Sequence, residues 1–308
     1  MDLIIYVIIL NKKNIIMIFK RSVILTEKDF RKVVTSLELT KTDKEEINSF
    51  IIELENKIKQ KLSYLNVVEL KKAGALYTNT MYHGSNNLEL ILVLDMPKIN
   101  SYPLMNQAAL NEVWNFFVFE YSLDKINQIG VNTQTNSIDV VLDNYNLNVL
   151  IRFKDILNYQ TSNFIKTDDL RCAFVNLAGS EFNLYKNTIQ LLTYYKDINN
   201  LNLISDYEIE LLLYYGLSEN FTKHTYEAYL KEFVHAIDDF TKGIKIDQDD
   251  ETYRNLNIEK VNISKQPYMI IDIANPSVNL TSKIGEAYLN ELKKFKKIIL
   301  KTLEAKVE

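Results

Sequence analysis

The spacing of apolar residues changes near residue 160, and this change limits the possible folds more than any other feature of the chain. Before residue 160, short strand-like runs alternate with helical segments. The strand-like runs cover residues 67–75, 88–96, 137–144 and 147–153. After residue 160, apolar residues recur mainly at helical spacing. The pattern predicts an α+β protein of two lobes, a mixed-sheet lobe over 1–160 and a helical lobe over 161–308.

Helices account for most of the remaining predicted structure. Residues 26–65 begin with a cap-like Thr26, and from Asp43 onward their isoleucines and leucines share one face, which fits one long amphipathic helix or two shorter ones. Because the chain has only 7 glycines and 4 prolines, we expect most of it to be regular. Further helices are predicted at 109–123, 183–197, 206–217, 225–242 and 282–304.

The charge balance narrows the classes of partner. The chain has 36 Lys and Arg against 40 Asp and Glu, a formal charge of −4. This argues against a surface built throughout for nucleic acid and leaves only a local basic groove. Positive charge is concentrated on the last predicted helix, which offers either a solvated helix face or a patch for RNA or an acidic partner. Its lysines are Lys293, Lys294, Lys296, Lys297 and Lys301.

The single cysteine and the apolar N-terminus bear on location. One cysteine, Cys172, excludes an internal disulfide and a cysteine-based zinc site, so we expect an intracellular protein, cytoplasmic or nuclear. The apolar run at 1–10 is about half of the roughly 20 residues that a membrane span requires, so we expect no membrane association. We interpret it as an edge strand, a docking arm, or an upstream extension with Met17 as the working start.

The segment from residue 73 to 94 carries the most specific motif. It contains a Gly74-Ala75 turn, a short helix-like span, and a strand that opens with Asn87-Leu-Glu89. Polar side chains at positions i and i+2 of a strand point to the same side, as joint ligation of a metal requires. This segment resembles the nucleotidyltransferase fold of oligoadenylate synthetases and cGAS-like enzymes, and the related inactive DZF domains. The run Asn-Leu-Glu-Leu is particularly like one class of DZF domain.

Three further segments extend the resemblance. Residues 185–196 are similar to the synthetase helix that carries phosphate-binding Lys and Arg, and residues 204–213 and 267–279 are similar to later family segments. In the active family, a Gly-Ser turn holds nucleotide phosphates, and three carboxylates hold two metal ions. The resemblance therefore implies a nucleotide site. Its positions in this chain are Gly74, Ala75, Lys186, Thr193, Ser205 and Tyr207, with Tyr207 available to stack a base.

The metal positions depart from the active pattern. Asn87 and Glu89 stand where the family has Asp-x-Asp, and Asn148 stands at the third carboxylate if 147–153 is the equivalent strand. A neutral amide supplies no negative charge against the hydration of a divalent cation. We therefore expect no catalytic residues and no metal, with Glu89 the only weak metal candidate. Asp139 is the fallback third acid if the strand pairing differs, whereas Asp95 more simply ends its strand.

The phosphate positions depart as well. Gln190 and Thr193 stand where the family has Arg and its second Lys, and Ser205 and Asp206 replace its Lys-Ser pair. An aspartate directed at a triphosphate, as expected for Asp206, would repel it.

These observations predict a catalytically degenerate nucleotidyltransferase-fold protein that acts by binding and needs no cofactor. The resemblance to DZF domains implies a protein partner, including another nucleotidyltransferase-fold chain, with RNA as a second ligand. We expect the partner surface to lie at Val93, Leu94 and the 114–119 helix. One alternative is an active enzyme that makes oligoadenylate or RNA with Mg²⁺ on Glu89 and Asp139. Another is a nucleotide sensor without catalysis.

Overall fold

The computed structural model describes residues 8–11, 14–17, 26–95, 102–121, 126–133, 135–142, 144–154, 161–220, 223–260, 268–281 and 285–304. Near the N-terminus, strands β1 (Ile8–Asn11) and β2 (Asn14–Met17) pair as an antiparallel hairpin. Residues 1–7 of the apolar N-terminal run lie outside the described residues. None of the helices in the described ranges has the length and hydropathy that crossing a bilayer demands.

The helical region that follows is divided in two, α1 (Glu27–Leu37) and α2 (Lys41–Lys61). Each begins with a capping box. The threonine hydroxyl accepts a hydrogen bond from the backbone N–H of the aspartate three residues later, and the side chain of that aspartate accepts one from the backbone N–H of the threonine. Thr26 and Asp29 form the first box, and Thr40 and Asp43 the second. The second box starts a new helix only three residues after α1 ends, so the sequence pattern contains two helices.

A five-stranded mixed sheet follows, and its strands lie in the order β3-β4-β7-β6-β5. Strands β4 and β7 are parallel, and the other neighbouring pairs are antiparallel. Helix α3 (Gly74–Thr78) separates β3 from β4, and α4 (Tyr102–Glu120) separates β4 from β5. The strands are β3 (Val67–Lys72), β4 (Asn87–Leu94), β5 (Ile126–Asn132), β6 (Ser137–Leu142) and β7 (Tyr145–Phe153).

The two faces of the sheet differ. Leu88, Leu90 and Leu92 face a large apolar core to which α2 and α4 contribute. The other face holds a smaller apolar cluster around Ile91 and Val93. Residue alternation along β4 therefore places Glu89 on the face with the smaller cluster.

The expected partner surface at Val93 and Leu94 is wrong, because both side chains are buried, one on each face of the sheet. Phe116 and Phe117 of α4 are buried as well. An apolar strand inside a sheet covered on both faces is core. Within the 114–119 stretch of α4, Phe119 is a large apolar side chain that is exposed, to 83%.

Helices predominate in the rest of the chain, which has its own aromatic-rich core. That core includes Phe174, Tyr185, Tyr229, Phe233 and Phe295. The helices are α5 (Thr161–Glu181), α6 (Tyr185–Ile198), α7 (Asp206–Asn220), α8 (Tyr226–Thr241), α9 (Asp250–Asn255) and α10 (Glu286–Glu304).

The chain divides into two compact units whose limits differ from a single cut at residue 160. The sheet unit comprises 39–81 and 85–172, and the helical unit includes the described residues up to 38, 82–84 and those from 173 onward. Helix α1 belongs to the helical unit because Phe30 and Val34 pack into its core beside α6 and α8. Local periodicity predicts that α1 is amphipathic, whereas the tertiary fold decides which core covers it.

Candidate functional site

Three polar residues form a row across adjacent strands of the sheet unit. Glu89 of β4 is the register partner of Asn148 of β7, and Asn148 is in turn the partner of Asp139 of β6. Register partners point to the same face, and neighbouring strands lie about 4.8 Å apart. Asn148 therefore lies beside Glu89, as the order of the motifs predicted, and Asp139 lies one strand further, about 10 Å from Glu89 along the row.

Hydrogen bonds occupy the amides of this site. The Asn148 Nδ2 donates to Asp139 Oδ1 at 2.5 Å and to Ser137 Oγ at 3.3 Å. At the exposed start of β4, Asn87 Oδ1 accepts from Asn146 Nδ2 at 2.8 Å. The position next to Glu89 is thus filled by a neutral donor that is bonded to Asp139.

Gly74 makes a close approach to this row. Its φ of +50° lies in the left-handed region, and a Cβ built on it would lie 3.0 Å from Glu89 Oε2. The backbone N–H of Ala73 also donates to the carbonyl oxygen of Glu89 at 2.9 Å. The Gly74-Ala75 turn and Glu89 are therefore brought together, with Ala75 where the resembling family has a hydroxyl.

The sequence reasoning missed Arg171, which lies on α5. Its Nη1 is 3.9 Å from Glu89 Oε1, and the Arg171 side chain is only 16% exposed. None of the predicted helices covered residues 161–181, so helix α5 was itself missed, and with it the strand that Arg171 meets. A guanidinium thus lies beside the one carboxylate that remains at the metal positions.

A cleft of about 360 Å³ surrounds this pair. The cleft is lined by both acidic and basic side chains, and Lys71 Nζ lies 3.3 Å from Glu69 Oε1. The exposed Tyr77 and the buried Cys172 complete two of its walls. The charged lining residues are Glu69, Lys71, Lys72, Glu89, Asp169 and Arg171.

The donor set does not fit a two-metal centre. Among the residues that the structure describes, no three His, Cys, Asp or Glu side chains are grouped so that they could hold a metal ion. Asn87 and Asn148 provide neutral oxygens, and the charge of Glu89 is balanced by Arg171. Two clustered divalent ions require several carboxylates, because each must replace charge-stabilised hydration.

Three other residues expected at the nucleotide site, Lys186, Thr193 and Ser205, lie in the helical unit, on α6 and just before α7. Lys186 Nζ donates to Asn176 Oδ1 at 2.7 Å, and burial lowers the pKa of Lys186. Thr193 is buried. Ser205 caps α7, because its hydroxyl donates to Glu208 Oε2 at 2.8 Å and accepts from the Glu208 N–H.

Asp206, which was expected to repel a triphosphate, has a cationic neighbour. Its carboxylate is held by an ion pair with Lys196, which also lies 3.4 Å from Asp197. Burial favours the neutral form of Lys196, but the negative charges of Asp206 and Asp197 outweigh this effect and raise the pKa of Lys196. Asp206 is therefore engaged within the helical unit and is not an isolated negative charge.

Tyr207 is partly buried against the core of the helical unit. Its hydroxyl donates to Asp272 Oδ1 at 2.7 Å. Asp272 belongs to the 267–279 segment that the resemblance singled out, so two of the family-like segments meet through this bond.

Comparison with known proteins identifies the fold. No family model matches the sequence, and no curated protein matches it. Solved structures do match: E. coli MS115-1 CdnC with ATP is 14% identical with a TM-score of 0.63, covering 91% of this chain and 98% of that one. E. coli MS115-1 CdnC in complex with HORMA-deltaN has a TM-score of 0.64 and 13% identity, and the match covers 92% of this chain and 96% of that one. Bradyrhizobium diazoefficiens CD-NTase CdnG in complex with GTP has a TM-score of 0.59 and 10% identity, and the match covers 91% of this chain and 90% of that one.

The chain is therefore an α+β protein with the nucleotidyltransferase fold, which confirms the fold that its motifs resembled. Its structural neighbours are CD-NTases, and the likeness extends over nine-tenths of the chain.

Proposed function

We propose that this chain is a nucleotidyltransferase-fold protein that has lost catalysis and acts by binding. The observation that supports this most strongly is the row across the sheet, in which an amide stands between Glu89 and Asp139. The Glu89 carboxylate, which would have to hold a metal ion, is paired with Arg171 instead.

The electrostatic reason lies in what two-metal catalysis needs. The metals must neutralise a triphosphate and activate the attacking hydroxyl, so their ligands must carry negative charge. Here a single carboxylate faces a fixed cation, and a divalent ion at Glu89 would meet repulsion from the guanidinium. The scaffold of strands and helices persists without the charges that would make it an enzyme.

A turnover assay tests this proposal. The purified chain is incubated with ATP and GTP and with Mg²⁺ or Mn²⁺, in the presence and absence of double-stranded RNA, and we expect no incorporation. Turnover that is lost in Glu89→Ala or Asp139→Ala but kept in the cleft control Glu69→Ala would overturn the proposal in favour of an enzyme. Saturable nucleotide binding without turnover, lost in Tyr207→Ala, would identify a sensor.

The binding role is proposed to include a protein partner, such as a second nucleotidyltransferase-fold chain. CdnC, one of the structural neighbours, has been solved in a complex with HORMA-deltaN. On the sheet unit, Phe119 of α4 exposes 83% of its surface and Leu104 exposes 61%. Exposed aromatic side chains are the residue type that interfaces favour.

Sedimentation of the purified chain over a range of concentrations tests self-association through this helix. We expect Phe119→Ser to weaken the association, whereas Ile52→Ser, at an apolar position on α2 that is 59% exposed, should not. A strict monomer at all concentrations, unchanged by either substitution, would exclude a second copy as the partner.

A further inference from the structure

Strand β5 forms one edge of the five-stranded sheet. It is the last strand in the order of the sheet, and it pairs with β6 on its inner side. Among the residues that the structure describes, no strand pairs with the outer side of β5, and residues 128–131 make no backbone hydrogen bond outside the sheet. An edge of this kind directs every second N–H and C=O outward, where another strand can pair with them.

The opposite edge of the same sheet is protected against such pairing. Strand β3 carries the charged residues Glu69, Lys71 and Lys72. The backbone N–H of Leu70 also donates to the side chain of Glu55 on α2, at 3.3 Å, so this group is already occupied. Charged side chains and covered backbone groups are the usual means by which proteins prevent an edge strand from pairing.

Strand β5 lacks these protective features. Its sequence, Ile-Asn-Gln-Ile-Gly-Val-Asn, contains no charged residue and no proline. A register shift interrupts the pairing with β6 between Ile126 and Gln128, but the pairing is regular from Gln128 to Asn132. Within that regular stretch, Val131 is 45% exposed. The outer side of β5 is therefore suited to pairing over this stretch.

The polar row of the candidate site extends to this edge. Gly130 of β5 is the register partner of Asp139, which is itself the partner of Asn148. A Cβ built on Gly130 would meet nothing within 4 Å. A glycine inside a strand often marks a place where another backbone comes close. Only this glycine separates the exposed Asp139 from the edge of the sheet.

A second copy of β5 fits this edge by two-fold symmetry. When the strand pairs antiparallel with its own copy and Ile129 lies opposite Ile129, Gln128 lies opposite Gly130 of the second copy. Gln128 is two residues from Gly130, so it faces the same side of the sheet as Asp139. The Gln128 amide can then reach across the glycine and donate to Asp139 of the second copy, and this contact occurs twice in the dimer.

Two further features favour a second copy as the partner. Two-fold pairing sets equivalent residues close to each other, so a charged strand would repel its own copy, whereas β5 carries no charge. The two-fold axis of such a pair is normal to the sheet, which places both α4 helices on the same face of the joined sheet. Helix α4 packs against β5 and β6 and carries the exposed Phe119, so this apolar side chain lies on the element next to the edge.

We propose that β5 pairs with β5 of a second copy, antiparallel and centred on Ile129, so that two five-stranded sheets join into one. This inference rests on the protein-binding role proposed above and identifies both the surface and the partner. Because the pairing uses the unprotected edge of each sheet and leaves the protected β3 edge outside, the assembly closes as a dimer.

Sedimentation of charge variants at Gln128 tests the cross-strand contact. Gln128→Glu keeps the shape of the side chain but sets a carboxylate near Asp139 of the second copy. Because this repulsion occurs twice, we expect the dissociation constant of the dimer to rise by roughly tenfold or more. Gln128→Lys should not weaken the dimer, and Gln128→Glu/Asp139→Asn should restore it. Gln60→Glu, at an exposed position on α2, is the matched control and should leave the constant unchanged.

Disulfide trapping tests the register. The natural cysteine, Cys172, is buried, so an introduced thiol at the edge reacts selectively. We expect chains carrying Gln128→Cys to form a disulfide with chains carrying Gly130→Cys when the two are mixed. Either variant alone should crosslink little, because its two equivalent Cα atoms would lie about 8 Å apart, beyond the roughly 7 Å that a disulfide can bridge.

The outcomes separate this inference from the wider proposal. A dimer that Phe119→Ser weakens, but that Gln128→Glu leaves unchanged and cysteine mixing does not trap, would overturn the strand pairing while keeping a second copy as the partner. Equal weakening by Gln128→Glu and Gln128→Lys, or trapping in the single variants alone, would overturn the pairing centred on Ile129. A strict monomer would refute the pairing and the second copy together, while the absence of catalysis is decided separately by the turnover assay.

Discussion

Placing two more carboxylates in the row beside Glu89 should create a metal-binding site. The change is Asn87→Asp combined with Asn148→Asp, which places three carboxylates at the family-like positions with Glu89. Asn87 already presents its Oδ1 as an acceptor to Asn146 at 2.8 Å, so an aspartate there keeps that bond and costs little. Asn148 is different, because its amide donates to Asp139 at 2.5 Å and a carboxylate cannot.

The expected loss of stability follows from the contact between Asn148 and Asp139. Losing the hydrogen bond costs about 1 kcal/mol, and two like charges about 4 Å apart repel by about 1 kcal/mol in water and about 4 kcal/mol near a protein surface. Since Asp139 is exposed and Asn148 is partly buried, we expect a total loss of about 2–4 kcal/mol without metal. That corresponds to a melting temperature lower by roughly 5–10 °C.

Divalent ions should reverse this loss. A ligand present at a hundred times its dissociation constant stabilises the native state by about 2.7 kcal/mol, so Mg²⁺ or Mn²⁺ should raise the melting temperature of the double variant by several degrees. Thermal unfolding with and without the ion, and with EDTA, provides the measurement. Asn148→Ala is the control, since it removes the same hydrogen bond without adding charge and should not respond to metal.

Two results would refute the reasoning. If the natural chain is itself stabilised by Mg²⁺ in a manner that Glu89→Ala abolishes, the site already binds metal and the proposed loss of catalysis is unfounded. If the double variant loses stability but gains no response to either ion, the row of residues does not form a metal site and the likeness to the family positions is only topological.

Two further predictions concern the scaffold. Gly216→Ala should lower the free energy of unfolding, measured by denaturant titration, by about 1–3 kcal/mol, because a Cβ there would lie 2.2 Å from the backbone oxygen of Glu232. Gly179→Ala is the control: its Cβ would meet only the flexible side chain of Lys186, so it should lower the free energy of unfolding far less. Burial, aided by a hydrogen bond to Glu112, raises the pKa of Tyr64 to about 12, and ultraviolet titration should show this value falling towards 10 in Glu112→Gln. Because the folded pKa is raised, the contribution of Tyr64 to stability is complete below pH 10 and is lost as the pH rises to about 12.

Much of this protein could be predicted from the sequence, and the reason is that the relevant signals are local. The alternation of β4 placed Asn87 and Glu89 on one side of a strand, and helical spacing predicted most of the helices after residue 160. The residue types at the metal positions are visible without any structure, so the shortage of carboxylates is a property of the sequence. The likeness of four short segments to one family was sufficient to predict the fold.

Only the tertiary structure decided which distant residues meet. The register of β4, β7 and β6 set Asn148 beside Glu89 and Asp139 one strand further away, and the packing of α5 brought Arg171 to the same carboxylate. Tertiary packing likewise buried Val93, which the apolar pattern had suggested as a partner surface. Periodicity records which side of an element is apolar, but it carries no record of the element that covers that side, because pairing and packing depend on segments far apart in the chain.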